Sequence, residues 1–123
     1  MGLRRNDTTA RIIALDKSVD AIQERLGANR RQTELVEEAL TFSQQLHHDQ
    51  RWLLDELSYY LKGPNGVSRL LYEAADASES DYRYIATLLD EEHSELLCEK
   101  KTLRAKEVEL HGEKARVARE AGW

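Results

Sequence analysis

The residues of this sequence with the greatest capacity for chemistry are four histidines, one cysteine and 23 carboxylates. Asp90-Glu91-Glu92-His93 sets a carboxylate three residues before an imidazole on one helical face, which is half of the pattern that builds a carboxylate-bridged metal centre in a helix bundle. The matching half is missing. Such a centre needs a second Glu-x-x-His, and His47 and His48 are preceded at that spacing by Gln44 and Gln45. His111 stands alone, and the chain contains no nucleophile elbow, phosphate-cradling glycine loop or CxxC pair. Cys98 has no internal partner for a disulfide, so nothing in the cysteine usage calls for an oxidising compartment. The expectation is a non-enzymatic chain with no catalytic residue, no metal and no cofactor.

The elements that would carry these residues are helical. One-third of the residues are charged, there is a single Pro among 123 residues, and Glu, Leu, Ala, Arg and Lys dominate, the composition of long helices and coiled coils. Ile12, Leu15, Val19, Ile22 and Leu26 alternate spacings of three and four, as one narrow helical face requires. The pattern is read onward through Leu35, Ala39, Phe42, Leu46, Leu53, Leu57 and Tyr60, with Asp7 or Thr8 capping the start. Lys62-Gly63-Pro64-Asn65-Gly66 is the strongest break signal in the chain. Beyond it Tyr82, Leu89, Leu96, Leu103, Leu110 and Val117 recur every seven residues, as do Ile12, Val19, Leu26, Thr33 and Leu40 before it. If the chain reverses at the break, partners should total about 129. Ile12 with Val117, Val19 with Leu110, Leu26 with Leu103 and Leu40 with Leu89 all do, with Thr33 opposite Leu96 the one polar member.

The fold class expected is therefore all-α: a single domain, residues 1–123, forming a long antiparallel two-helix hairpin. Helix 1 covers about 8–62, the turn lies near residues 62–66, helix 2 covers about 67–121, and the rod is roughly 80 Å long. Gly27 is expected inside a continuous helix. Ser78 and Asp81, spaced as a capping pair, mark a kink or short loop at 76–81.

Adjacent helix positions lie about 100° apart, so the paired leucines at 53/54, 70/71, 88/89 and 96/97 cannot all face one partner helix. A second apolar stripe results. Phe42, Trp52, Tyr59, Tyr60, Tyr72, Tyr82 and Tyr84 all lie in the half nearer the turn, leaving only Trp123 outside it. Trp52, Leu54, Tyr59, Leu71, Tyr72, Leu89 and Leu97 are the expected partner-binding residues, with another helical protein or a second copy of the chain as the partner. Charge is segregated as well: +3 for residues 1–31, −4 for 32–62, −7 for 63–99 and +3 for 100–123. A weakly basic end on an acidic chain does not indicate nucleic-acid binding. No apolar run approaches the roughly 18 residues needed to span a membrane, and a cytoplasmic location without membrane insertion is expected.

Two long helices around a glycine-containing turn resemble the WXG-like small helical proteins of Gram-positive type VII secretion. Tyr59-Tyr60-Leu61-Lys62-Gly63 resembles that family's Trp-x-Gly turn, with Leu61 in the place of Trp. The second helix, with Leu88-Leu89-Asp90-Glu91-Glu92, Leu96, Leu103 and Glu107-Val108-Glu109-Leu110, is similar to that of the small helical partners encoded beside LXG-domain toxins. The resemblance implies a targeting factor or chaperone that binds the toxin's helical LXG domain, together with a second small helical protein, and prepares it for export, with co-export a further implication. Tyr72 and Asp76 match the family's Tyr-x-x-x-Asp/Glu export signal in spelling, though at the start of helix 2 instead of near its end. Tyr72 is read first as a core or interface tyrosine. The alternative function is a homo-oligomeric coiled-coil structural protein.

Overall fold

A computed structural model of the chain describes residues 2–61 and 65–122, and describes side chains for 6–61 and 66–122. It is all-α, with two elements: α1, Gly2–Tyr60, and α2, Asn65–Glu120. Neither helix contains Pro, and their abundant Ala, Leu, Glu and Arg keep the backbone cost of such long helices low. Gly27 lies inside α1 without breaking it. At the other terminus Gly122 adopts φ 73° and its N–H donates to the Arg119 carbonyl, so a residue free of a Cβ penalty ends the last turn.

Three boundaries differ from the sequence expectation. Asp7 and Thr8 do not cap α1, which starts at Gly2; Thr8 is instead buried inside it, one turn before Ile12. Asn65 and Gly66 belong to α2, while Lys62, Gly63 and Pro64 of the expected turn lie outside the described residues. No loop interrupts 76–81, which lie within α2. The polar residues there bond across to α1: the Ser78 hydroxyl donates to Gln50 Oε1 at 2.7 Å, and Glu79 Oε2 accepts from His47 Nε2 at 2.9 Å. A capping spelling loses to these bonds because the helical backbone already satisfies the amides a cap would serve.

The contacts divide the chain into two compact units, residues 1–33 with 95–123 and residues 34–94. In the first, the terminal unit, α1 packs antiparallel on α2 through Val19, Ile22, Leu96, Leu103 and Val117, all buried. Lys114 Nζ meets Asp16 Oδ1 at 2.6 Å on the predicted diagonal. Asn29 is 3% exposed and spans this seam: its Nδ2 donates to the Leu96 carbonyl at 2.8 Å and to Glu99 Oε1 at 3.2 Å. In the second, the turn-side unit, His93 with Glu37, Tyr82 with His47 and Ser78 with Gln50 keep within a residue of the same diagonal. Each unit is thus an antiparallel helix pair, as the heptad spacing predicts.

A buried amide in a largely apolar seam costs stability and fixes register, since any slip strands it without partners. Asn29→Leu is therefore expected to raise the melting temperature and to loosen the register. In a Cys98→Ser background, cysteines at 26 and 103 should crosslink within one molecule. With Asn29→Leu added, pairs offset by one heptad should begin to crosslink too. Retention of a single register would show that the apolar side chains alone set it.

Candidate functional site

The seam of the turn-side unit does not follow the stripe expected from the sequence. Val36 is buried, and Leu40, Ser43, His47 and Leu54 are half-buried. These continue the three-four alternation of Val19, Ile22, Leu26, Asn29 and Thr33 without a break. Leu35, Phe42, Leu46, Leu53 and Tyr60, read as seam residues, are exposed, Phe42 to 69%. Each of the first four stands one residue before a seam position. On α2 the same holds: exposed Leu70, Ile85 and Leu88 precede half-buried Leu71, Ala86 and Leu89.

This shared offset has a geometric consequence. One residue back is a rotation of about 100° about the helix axis. Running the second helix in the opposite direction reverses the sense of that rotation, so the predecessor positions of both helices turn to the same side of the pair. A shallow groove of about 470 Å³ lies on that side, lined from α1 by Ser43, Leu46 and Gln50 and from α2 by Ala77, Asp81 and Ile85. The residues that follow the seam positions, Glu37, Gln44, His48 and Asp55 on α1 and Glu79, Thr87 and Asp90 on α2, give the other side a polar surface. The turn-side unit is an amphipathic helix pair.

Among its described residues the terminal unit has no counterpart. Its seam residues Val19, Ile22, Leu26, Leu96, Leu103, Leu110 and Val117 are preceded by Ser18, Ala21, Arg25, Glu95, Thr102, Glu109 and Arg116. Among the described residues, every large exposed apolar side chain except Ile13, Leu97 and Val108 belongs to residues 34–94.

The expected partner-binding residues divide accordingly. Trp52 and Tyr59 are exposed on the outward side of α1, beside the apolar face, and the Tyr59 ring meets Tyr60 edge-on at 5.5 Å. Leu54, Leu71 and Leu89 are half-buried at the seam. Tyr72 follows Leu71 and so turns to the polar side; Leu97 belongs to the terminal unit. Tyr72 and Asp76 are both exposed, one turn apart. The sequence reading passed over Phe42, Leu46, Leu53, Leu70 and Leu88 as surface residues. The signal that finds them is the strict seven-residue repeat from Ile12 to Leu40, which extends to His47 and Leu54, one residue beyond Leu46 and Leu53.

Two of the four histidines engage a carboxylate, His47 with Glu79 at 2.9 Å and His93 with Glu37 at 3.2 Å. Among the described residues no group of three or more His, Cys, Asp and Glu could hold a metal ion. The His47 ring stacks on Tyr82 at 4.2 Å, nearly parallel, and its Nδ1 is buried without a hydrogen-bond partner. A carboxylate only accepts, so in the neutral imidazole Nε2 carries the proton and Nδ1 is a stranded acceptor. Such an atom costs about 1–3 kcal/mol. His47→Leu should therefore raise the melting temperature by several degrees in thermal circular dichroism. A drop would mean that the bond to Glu79 outweighs the stranded nitrogen.

Fold and site together define a helical-hairpin protein with one unpartnered apolar face, and none of its described helices is long and apolar enough to cross a membrane. No protein-family model, curated protein or solved structure matches the chain.

Proposed function

We propose that this chain is a non-enzymatic adaptor that binds another helical protein through the apolar face of its turn-side unit. The observation that carries the reading is the run of exposed Leu35, Phe42, Leu46 and Leu53 on α1 and Leu70, Ile85 and Leu88 on α2, all turned to one side. An apolar stripe of this length, bounded by polar residues, is the kind of surface that marks a protein interface. A second pair of helices laid on it would complete a four-helix arrangement.

With the resemblance to the partners of LXG toxins, the adaptor becomes a targeting factor or chaperone for the helical LXG domain of a type VII secretion toxin. In that role it promotes export without altering toxin activity. Deleting its gene should abolish toxin in the culture medium while leaving toxicity of the purified toxin intact. Trp52→Ala with Tyr59→Ala, beside the face, should weaken co-purification with the toxin. Normal export after deletion, with undiminished co-purification, would sink the secretion role.

A further inference from the structure

Charge identifies the occupant of this face. Residues 34–94 carry thirteen acidic and four basic side chains, a net −9, whereas the remainder carries ten acidic and fourteen basic, +4, which together give the chain's −5. Four of these acidic residues border the apolar stripe itself. Glu38 lies one turn from both Leu35 and Phe42, Asp49 from Leu46 and Leu53, Glu56 from Leu53, and Asp81 lines the groove. The described basic residues of the unit are turned away or engaged. Arg51 and Arg83 follow seam-side residues, Gln50 and Tyr82, and so face the polar side. Arg83 Nε donates to Glu79 at 3.1 Å, and Arg69 Nε to Glu73 at 3.2 Å.

We infer, on the basis of the protein-binding reading above, that the face receives a basic amphipathic helix. Its apolar stripe covers Phe42, Leu46, Leu53 and Leu88, and one of its bulky side chains enters the groove left by the small residues Ser43, Ala74 and Ala77. Its Lys and Arg flank the stripe and meet Glu38, Asp49, Glu56 and Asp81. A second copy of the chain fits poorly: it offers a comparable apolar stripe only on its own turn-side unit, and that sets −9 against −9. Like charges opposed across an interface disfavour association, while opposite ones steer it.

Two synthetic helices of four heptads test the inference against the full chain. Both carry the same leucine stripe, one flanked by Lys and Arg and the other by Glu. Fluorescence anisotropy should show the basic peptide binding at least about tenfold more tightly at low salt, with the advantage shrinking as salt screens the charges. The triple variant Glu38→Lys, Asp49→Lys, Asp81→Lys, all on exposed positions, should keep its helicity and reverse the preference. Ala77→Phe, which fills the groove while adding apolar surface, should weaken the basic peptide.

Equal affinity for both peptides, or an unreversed preference in the triple variant, would overturn the charge assignment. Undiminished binding to Ala77→Phe would overturn the groove as the seat. Sedimentation of the chain as a dimer that Phe42→Ser with Leu46→Ser dissociates would make the occupant a second copy. If neither peptide bound but Phe42→Ser with Leu46→Ser still abolished capture of the natural partner, only the basic-helix inference would fall. If that capture also persisted, the protein-binding reading would fall with it.

Discussion

Leu103→Ala is expected to lower stability by about 2–5 kcal/mol, the usual cost of emptying a buried leucine site, and to appear as a large drop in melting temperature. The terminal unit has little else to lose. Among the described residues its buried apolar side chains are Val19, Ile22, Leu96, Leu103 and Val117, and the two helices of the unit leave no further described element to close over the void. Leu97→Ala, six residues earlier on the same helix and 50% exposed, should change stability by less than about 0.5 kcal/mol. Between these limits fall the half-buried leucines of the turn-side unit. The sequence placed Leu54 and Leu71 beside the seam with Leu97, so that a charge at any of the three would leave the fold intact. Their half-burial separates them: Leu97→Glu should be silent in thermal denaturation, whereas Leu54→Glu and Leu71→Glu should each lower the melting temperature by several degrees. Equal melting of all three variants would return Leu54 and Leu71 to the surface.

The two-helix architecture and its register were legible because they rest on period alone. A seven-residue repeat on either side of one Gly-Pro-containing break leaves few ways to bring the stripes together, and the bonds of Asp16 with Lys114 and Glu37 with His93 fall where that arithmetic places them. Past Leu26 the heptad through Thr33 and Leu40 kept to the seam, but the apolar run through Leu35, Phe42, Leu46 and Leu53 was read as seam too, because apolarity was followed where phase should have been. From Asn29 to Gln50 the inward positions include Asn29, Thr33, Ser43, His47 and Gln50, and the tempting Leu35, Phe42, Leu46 and Leu53 lie one residue earlier. A long unbroken helix has one phase. Once Val19, Ile22 and Leu26 are pinned against α2, the residues at multiples of three and four beyond them face inward whatever their chemistry.

That conflict also explains why the site was half-visible. Doubled leucines announced a second stripe, but deciding which member of each pair is surface needs the phase. In 53/54, 70/71 and 88/89 it is the first; in 96/97 it is the second, because Leu96 is buried in the terminal unit. The side of the pair that the stripe occupies follows only after the antiparallel arrangement is in hand. Asn29 and His47 were invisible as packing residues for a different reason: their inward placement depends on the carbonyl of Leu96 and on Glu79 and Tyr82, more than thirty positions distant.

The quadruple variant Phe42→Ser, Leu46→Ser, Leu53→Ser, Leu88→Ser tests the face as a whole. All four side chains are about half exposed or more in the folded chain, Phe42 most of all, so their removal forfeits little of the burial that holds the hairpin together. The melting temperature should stay within a few degrees of the parent. Binding is another matter. In a complex these side chains would be desolvated, at roughly 1.5–3 kcal/mol for each one fully buried, so affinity for the partner should fall by at least about a hundredfold. A partner-independent readout accompanies it: a dye that fluoresces on exposed apolar surface should bind the parent chain and lose most of its signal on the variant. Loss of dye binding together with loss of the partner, at preserved helicity, is the expected pattern. A variant that unfolds would show that these four residues are packed within the chain itself. A variant that binds its partner as before would move the docking surface to the polar side, where Tyr72 stands.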